Sequence, residues 1–243
     1  MSRWVPSLLT LTNLFFGLIA IALSENGRVG AASILILSGM LIDAFDGRVA
    51  RFLKAESEFG RQLDSLADVV TFGVAPMAVL YSLCLRNLGI FGALVGLIFP
   101  ACGILRLARF HVENGPRRYF IGLPITAAGG VSAALALCYN LLPEPSVFLP
   151  VCVLLLSFLM VSHVRYPNFK RISFPQSALI GIPLLALGVY LVVRYGHSFA
   201  GSLVVLAFLI YLVFGAARAL RKQRFDKEES LDEKSLPPSN VNP

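Results

Sequence analysis

The chain is 243 residues long, 56% apolar and 14% charged, and its mean hydropathy of +0.74 lies above what a water-exposed fold tolerates. A soluble globular enzyme is excluded on that ground. The net charge of +7 is informative through its distribution, because basic residues in a membrane protein report orientation and not an affinity for nucleic acid.

Eight apolar stretches, at about 5–23, 29–53, 62–85, 88–110, 121–142, 145–161, 176–195 and 198–220, are each long enough to cross roughly 30 Å of hydrocarbon as a helix. They are continuously apolar and do not alternate, so the expected fold is all-α, a polytopic membrane helix bundle and not a β-barrel. The first stretch has a single basic residue, Arg3, ahead of it and no small-residue cleavage site behind it, so it is expected to stay as the first helix.

The second and third stretches carry the chemistry. Asp43 and Asp46 are three residues apart, and Asp64 and Asp68 four apart, so each pair shares one face of its helix. A reversal through about 54–61 makes the two helices antiparallel neighbours and brings both pairs to one depth. Burying one Asp at a helix centre costs about 2.5–3.5 kcal/mol on insertion scales, and four together also repel. Arg48 and Arg51 could neutralise two of the charges in a structural ion-pair network. The remaining charge calls for divalent cations, and hard oxygen ligands without His or thiolate favour Mg²⁺ or Mn²⁺ over zinc or copper. Gly47 adjoins Asp46 and Gly60 precedes Asp64 by one turn, positions where a missing side chain lets a flat base or a pyrophosphate approach the backbone.

In the fourth stretch Gly92 and Gly96 form a G-x-x-x-G, read as internal helix packing in preference to a dimer contact. Arg106 and Arg109 lie three apart near its cytoplasmic end and present guanidinium forks to a carboxylate or phosphate, or else anchor the helix end on anionic lipid. Cys84, Cys102, Cys138 and Cys152 fall inside apolar stretches without metal spacing and read as packing residues. His111, His163 and His197 are scattered over connections and are given no catalytic role.

Of 21 Lys and Arg, only Arg28, Arg86 and Arg194 fall in the odd-numbered connections, which puts the other eighteen, and both termini, in the cytoplasm. One membrane domain is expected over residues 1–222, followed by a charged, disordered tail at 223–243 with Pro237 and Pro238.

The string from Asp43 to Asp68 also resembles a known family. It matches every fixed position of D-x-x-D-G-x-x-A-R-x8-G-x-x-x-D-x-x-x-D, the signature of the CDP-alcohol phosphotransferases. The resemblance implies that Asp43, Asp46, Asp64 and Asp68 hold two divalent cations over a CDP pyrophosphate. It also implies that Gly47, Ala50, Arg51 and Gly60 shape the nucleotide site. Three further strings, Cys102–Phe110, Phe120–Pro124 and Ser162–Pro167, are similar to the phosphatidylserine synthase branch, as are Thr10–Asn13 and Gly17 in the first stretch. The similarity covers about residues 5–170, with Ser7 and Thr126 as departures, where relatives often carry Asn and Pro.

What this implies is an enzyme of the inner cell membrane with its active site on the cytoplasmic side, joining CDP-diacylglycerol and L-serine into phosphatidylserine and CMP. Asn13 joins the nucleotide-binding set, Asp68 is the expected catalytic base as well as a ligand, and Arg106 and Arg109 hold the acceptor or the lipid phosphate. A homodimer is a further possible partner arrangement. Two alternatives stand beside this reading: a same-fold transferase for glycerol 3-phosphate or an inositol phosphate, and a divalent-cation transporter. The second would be expected to show internal repeats and midplane acids, which this sequence lacks.

Overall fold

The computed structural model describes residues 4–53, 55, 57–112, 119–142, 144–162 and 165–167. The expected seventh and eighth spans, the tail, Arg117, Arg118, His163 and His197 lie outside these residues. Four helical stretches among them are long and apolar enough to cross a membrane: Pro6–Glu25, Val29–Phe52, Glu58–Leu83 and Leu85–Val112. Ile125–Leu137 and Pro145–Val161 are shorter apolar helices.

Helix α1 (Trp4–Glu25) buries Thr10, Asn13, Gly17, Ala20 and Ser24, a three-four spacing that forms one stripe. It ends where Gly27 takes a left-handed φ of 71° and its amide bonds Ser24 O at 3.1 Å, a glycine stop that uses up helix-end carbonyls. Helix α2 (Val29–Phe52) packs back along α1, with Ala32, Ile36, Gly39 and Asp46 at the same three-four spacing. Asp43 falls in register with that stripe and is half-buried.

Helix α2 closes at Leu53, whose amide donates to the Val49 carbonyl at 2.9 Å. Helix α3 (Glu58–Asp68) starts at Ser57, whose hydroxyl accepts the Gly60 amide at 3.0 Å and so caps one of the helix's orphan donors. After Asp68 the helix continues as a π-helical turn, Val69–Val74, and then as α4 (Ala75–Leu83). Pro76 sits in the first turn of α4, where its missing N–H costs least. The third stretch is thus one path of 26 residues with a widened turn at its middle.

A 3₁₀ turn (Leu85–Leu88) leads into α5 (Gly89–Val112). A Cβ on Gly92 would strike the backbone carbonyl of Leu85, whereas one on Gly96 would meet nothing within 4 Å. Among the described residues, then, the two glycines do not share one helix crossing. Gly92 makes room for the turn preceding its own helix.

The fifth stretch departs most from expectation. It does not begin as helix at residue 121: Tyr119–Ile121 (β1) pairs antiparallel with Arg165–Pro167 (β2), and α6 runs only over Ile125–Leu137. Pro124 is the cause, since the residue before a proline is pushed out of the helical region, and Pro124 itself is extended at φ −59°, ψ 140°. Gly122, at φ 76°, lies against the Met160 carbonyl. Helix α7 (Pro145–Val161) matches the sixth expected span.

Helix α6 is the centre of the bundle. Every residue from Ala128 to Cys138 is buried, most of them Ala, Gly or Ser, and α2, α4 and the π turn pack around it. Large apolar side chains face outward on α1 (Phe15, Leu18), α5 (Ile90, Leu97) and α7 (Val147, Phe158), as a lipid-facing surface requires. The four cysteines are free, and Cys84 and Cys138 are buried, as packing residues should be.

Candidate active site

Helices α2 and α3 meet at the acids. One carboxylate oxygen from each of Asp43, Asp64 and Asp68 lies within 4.8 Å of the others, a spacing at which a single cation can be shared. Asp68 is buried, and its Oδ1 has no hydrogen-bond partner among the described residues. Such an atom in an apolar interior calls for a positive charge or a bound donor. The donor set is all oxygen, which fits a hard divalent ion.

Asp46 stands apart from this trio. It is buried, and its Oδ2 accepts from Thr10 Oγ1 of α1 at 3.2 Å. The same hydroxyl lies 3.1 Å from the Pro6 carbonyl, so its one proton is shared between two acceptors. Asp43, Asp46 and Asp64 all act electrostatically on Asp68, and so does the buried Arg106 from α5. All four signature acids therefore belong to one electrostatic unit, with Arg106 supplying positive charge inside the bundle.

Arg109 goes elsewhere. Its Nη1 donates to the Val161 carbonyl at 3.1 Å, capping the C-terminal end of α7, where a cation also complements the helix dipole. Arg106 is thus buried beside the acids, whereas Arg109 is half-buried and bonds the end of α7. Leu123 N–H and Ser162 Oγ both donate to Leu159 O, at 3.1 and 2.8 Å, so the end of α7 is tied to the segment before α6.

The expected nucleotide residues fall into two groups. Gly47 is exposed, and a Cβ there would meet nothing within 4 Å among the described residues, which leave the space beside Asp46 open. Ala50 is half-buried on the next turn; Arg51 is exposed and its Nε donates to the Gly47 carbonyl at 3.1 Å. Gly60 is in the first turn of α3, where its amide is taken by Ser57. Asn13, by contrast, is fully buried where α1 crosses α2, its Oδ1 close enough to Gly39 that a Cβ there would come within 2.7 Å.

Sequence reasoning gave no task to Thr10, Thr71 or Ser65. Thr71 Oγ1 donates to the Asn13 carbonyl at 3.0 Å, and Ser65 Oγ faces His111 Nε2 at 3.4 Å. A polar side chain in an otherwise apolar span was the available signal for the two threonines.

With this geometry in view, a sequence model of the CDP-alcohol phosphatidyltransferase family matches residues 3–163. The chain belongs to that family. The CDP-alcohol phosphatidyltransferase match spans all the helices described, from α1 to α7. Among curated relatives, the CDP-diacylglycerol–serine O-phosphatidyltransferase of Bacillus subtilis is 40% identical over 169 residues, covering 70% of this chain and 93% of the relative. The archaetidylserine synthase of Methanothermobacter thermautotrophicus is 38% identical over 166 residues, covering 68% and 70%. The CDP-diacylglycerol–serine O-phosphatidyltransferase of Mycobacterium leprae is 34% identical over 234 residues, covering 91% and 76%. That last similarity extends past α7 into the later part of the chain.

Proposed function

We propose that this chain transfers a phosphatidyl group from CDP-diacylglycerol to L-serine, giving phosphatidylserine and CMP in phospholipid biosynthesis. Membership of the CDP-alcohol phosphatidyltransferases supplies the reaction class, and relatives named for serine transfer supply the acceptor. The observation that carries the site is the convergence of Asp43, Asp64 and Asp68 within 4.8 Å on two helices of the signature.

Asp43, Asp46, Asp64 and Asp68 would hold two divalent cations, Mg²⁺ or Mn²⁺. Such ions, when bound, offset the charge of the donor pyrophosphate and acidify a hydroxyl near them. The serine hydroxyl oxygen forms the new bond to the β-phosphorus, the bond from that phosphorus to the CMP oxygen breaks, and CMP leaves. Asp68 takes the hydroxyl proton, its buried place at the end of α3 keeping it beside the other acids. Arg106 holds the serine carboxylate, a task its buried charge suits. Gly47, Ala50, Arg51 and Gly60 border the nucleotide.

The wider arrangement belongs to the same proposal: eight spans in one membrane domain over 1–222, a charged tail at 223–243, both termini and the acids on the cytoplasmic side of the inner membrane, and a homodimer as the candidate assembly. The test of the activity is direct. Purified protein is incubated with CDP-diacylglycerol and labelled serine, glycerol 3-phosphate, inositol phosphate or inositol, and lipid product is scored. Label entering lipid from serine alone supports the proposal; label from another alcohol reassigns the acceptor.

A further inference from the structure

The six residues Val69–Val74 form a π-helical turn in the same helix as Asp64 and Asp68, beginning at the residue after Asp68. Its geometry is explicit in the Ala75 amide, which bonds the Val70 carbonyl five residues back. Each residue of an α-helix turns the chain by about 100°, and a π turn carries one more residue per turn. The acids of α3 are therefore swung by about that angle from where an unbroken helix running into α4 would put them.

Three helices close on this turn, and each does so through a glycine. A Cβ on Gly17 of α1 would come within 2.8 Å of Thr71 Cα, and one on Gly39 of α2 within 3.1 Å of Thr71 Cγ2. On the third side, a Cβ on Gly129 of α6 would strike the Phe72 carbonyl. Thr71 and Phe72 are fully buried, and the Thr71 hydroxyl donates to the Asn13 carbonyl of α1 at 3.0 Å. That carbonyl belongs to a helix interior, so the bond ties the wide turn to α1 without competing for the turn's own amides.

We propose that the π turn is the element that sets the rotation of Asp64 and Asp68 toward Asp43, and that Thr71 is the positioning residue that holds it. This rests on the reading of those acids as ligands of a divalent cation. The wide turn is a rare conformation whose extra residue could be lost to an ordinary helix. The hydroxyl bond from Thr71 and the three glycine contacts hold the wide form, and the acids then face α2.

The experiment measures Mn²⁺ alone, by the loss of free-ion paramagnetic resonance signal on titrating purified protein in detergent, together with kcat and KM. Wild type and Asp64→Asn set the frame: Mn²⁺ binding to the first and not the second supports the cation reading, and absence of binding to wild type would overturn that reading separately. Thr71→Val keeps shape and removes the hydroxyl. It is expected to weaken Mn²⁺ binding by about ten-fold, as loss of a supporting partner does, and to lower kcat by about a hundred-fold, as a displacement of about 1 Å does. Thr71→Ser restores the hydroxyl and should recover both. If Thr71→Val is not recovered folded, Gly17→Ala, whose Cβ would come within 2.8 Å of Thr71 Cα, displaces the same turn from the α1 side and should show the same two losses. Wild-type Mn²⁺ affinity and turnover in either variant would overturn the proposal.

Discussion

Thr10 of α1 reaches Asp46 of α2 across 36 residues of sequence, hydroxyl to carboxylate, at 3.2 Å. The bond joins the first helix to the signature acid that stands outside the close trio, and it fixes which way that carboxylate faces. A hydrogen bond to a charged group is worth about 1.5–3 kcal/mol. Thr10→Val should therefore lower turnover by about ten-fold or more, whereas Thr10→Ser should stay near wild type. Steady-state rates on purified variants decide it, and equal rates for Val and Ser would show that Asp46 is oriented without Thr10.

The trio itself makes a sharper prediction. Chelation with EDTA should abolish turnover, Mg²⁺ or Mn²⁺ should restore it, and zinc should serve poorly. Asp43→Asn and Asp64→Asn should lose metal-dependent binding of CDP-diacylglycerol along with activity. Asp68→Asn should keep most donor affinity and lose most of kcat if Asp68 takes the proton. Equal loss of donor binding in all three would make Asp68 a ligand only.

Arg106 and Arg109 should now behave differently. Arg106, buried near Asp68, is expected on truncation to alanine to raise KM for serine far more than KM for CDP-diacylglycerol. Arg109 caps α7 through Val161, so Arg109→Ala should lower the thermal midpoint, with the loss of about 1.5–3 kcal/mol expected of a charged hydrogen bond. Its two KM values should move together. A serine-specific KM effect at Arg109 would return it to the acceptor site.

The glycines of α5 and of the segment before α6 can be ranked by what a methyl group would meet. Gly92→Ala strikes the Leu85 carbonyl and Gly122→Ala the Met160 carbonyl, at a residue whose φ is already 76°. Each should destabilise by at least about 1–3 kcal/mol. Gly96→Ala meets nothing within 4 Å among the described residues and should be neutral. Thermal unfolding in one detergent compares all three, and a destabilised Gly96→Ala would point to a contact from outside the described residues, from the later spans or a second copy.

Orientation is open to a labelling test. In a background with Cys84, Cys102, Cys138 and Cys152 replaced, a cysteine near Glu56 or in the tail should be shielded from an impermeant thiol reagent in intact cells, while one near Asn26 should react. The opposite pattern would invert the topology and remove the cytoplasmic supply of serine.

The acids were legible because their chemistry is costly in lipid and their three- and four-residue spacings leave few structural explanations. Helix positions were legible as far as hydropathy reaches: α2, α5 and α7 fall within a few residues of their expected bounds. Hydropathy is blind to hydrogen-bond register, so the π turn inside 62–85 read as ordinary helix. The start of α6 was missed for a similar reason, since Ile121 and Leu123 are as apolar in a ribbon as in a helix and only Pro124 marked the change. For the two arginines, spacing places side chains on a face but does not say which neighbour that face meets. For Arg109 the neighbour is a carbonyl contributed 52 residues later.

The smallness of α6 reaches back into how the protein is made. Thirteen residues rise about 20 Å, short of the roughly 30 Å of hydrocarbon that a self-sufficient span must cross. Its small Ala, Gly and Ser side chains let neighbours come close, and its glycine contact to Phe72 exists only once the π turn is in place. The helix is therefore a late guest in its own bundle. The contacts that bury α6 come mainly from helices made before it, so the surroundings it meets are protein on the sides of α2, α4 and the π turn.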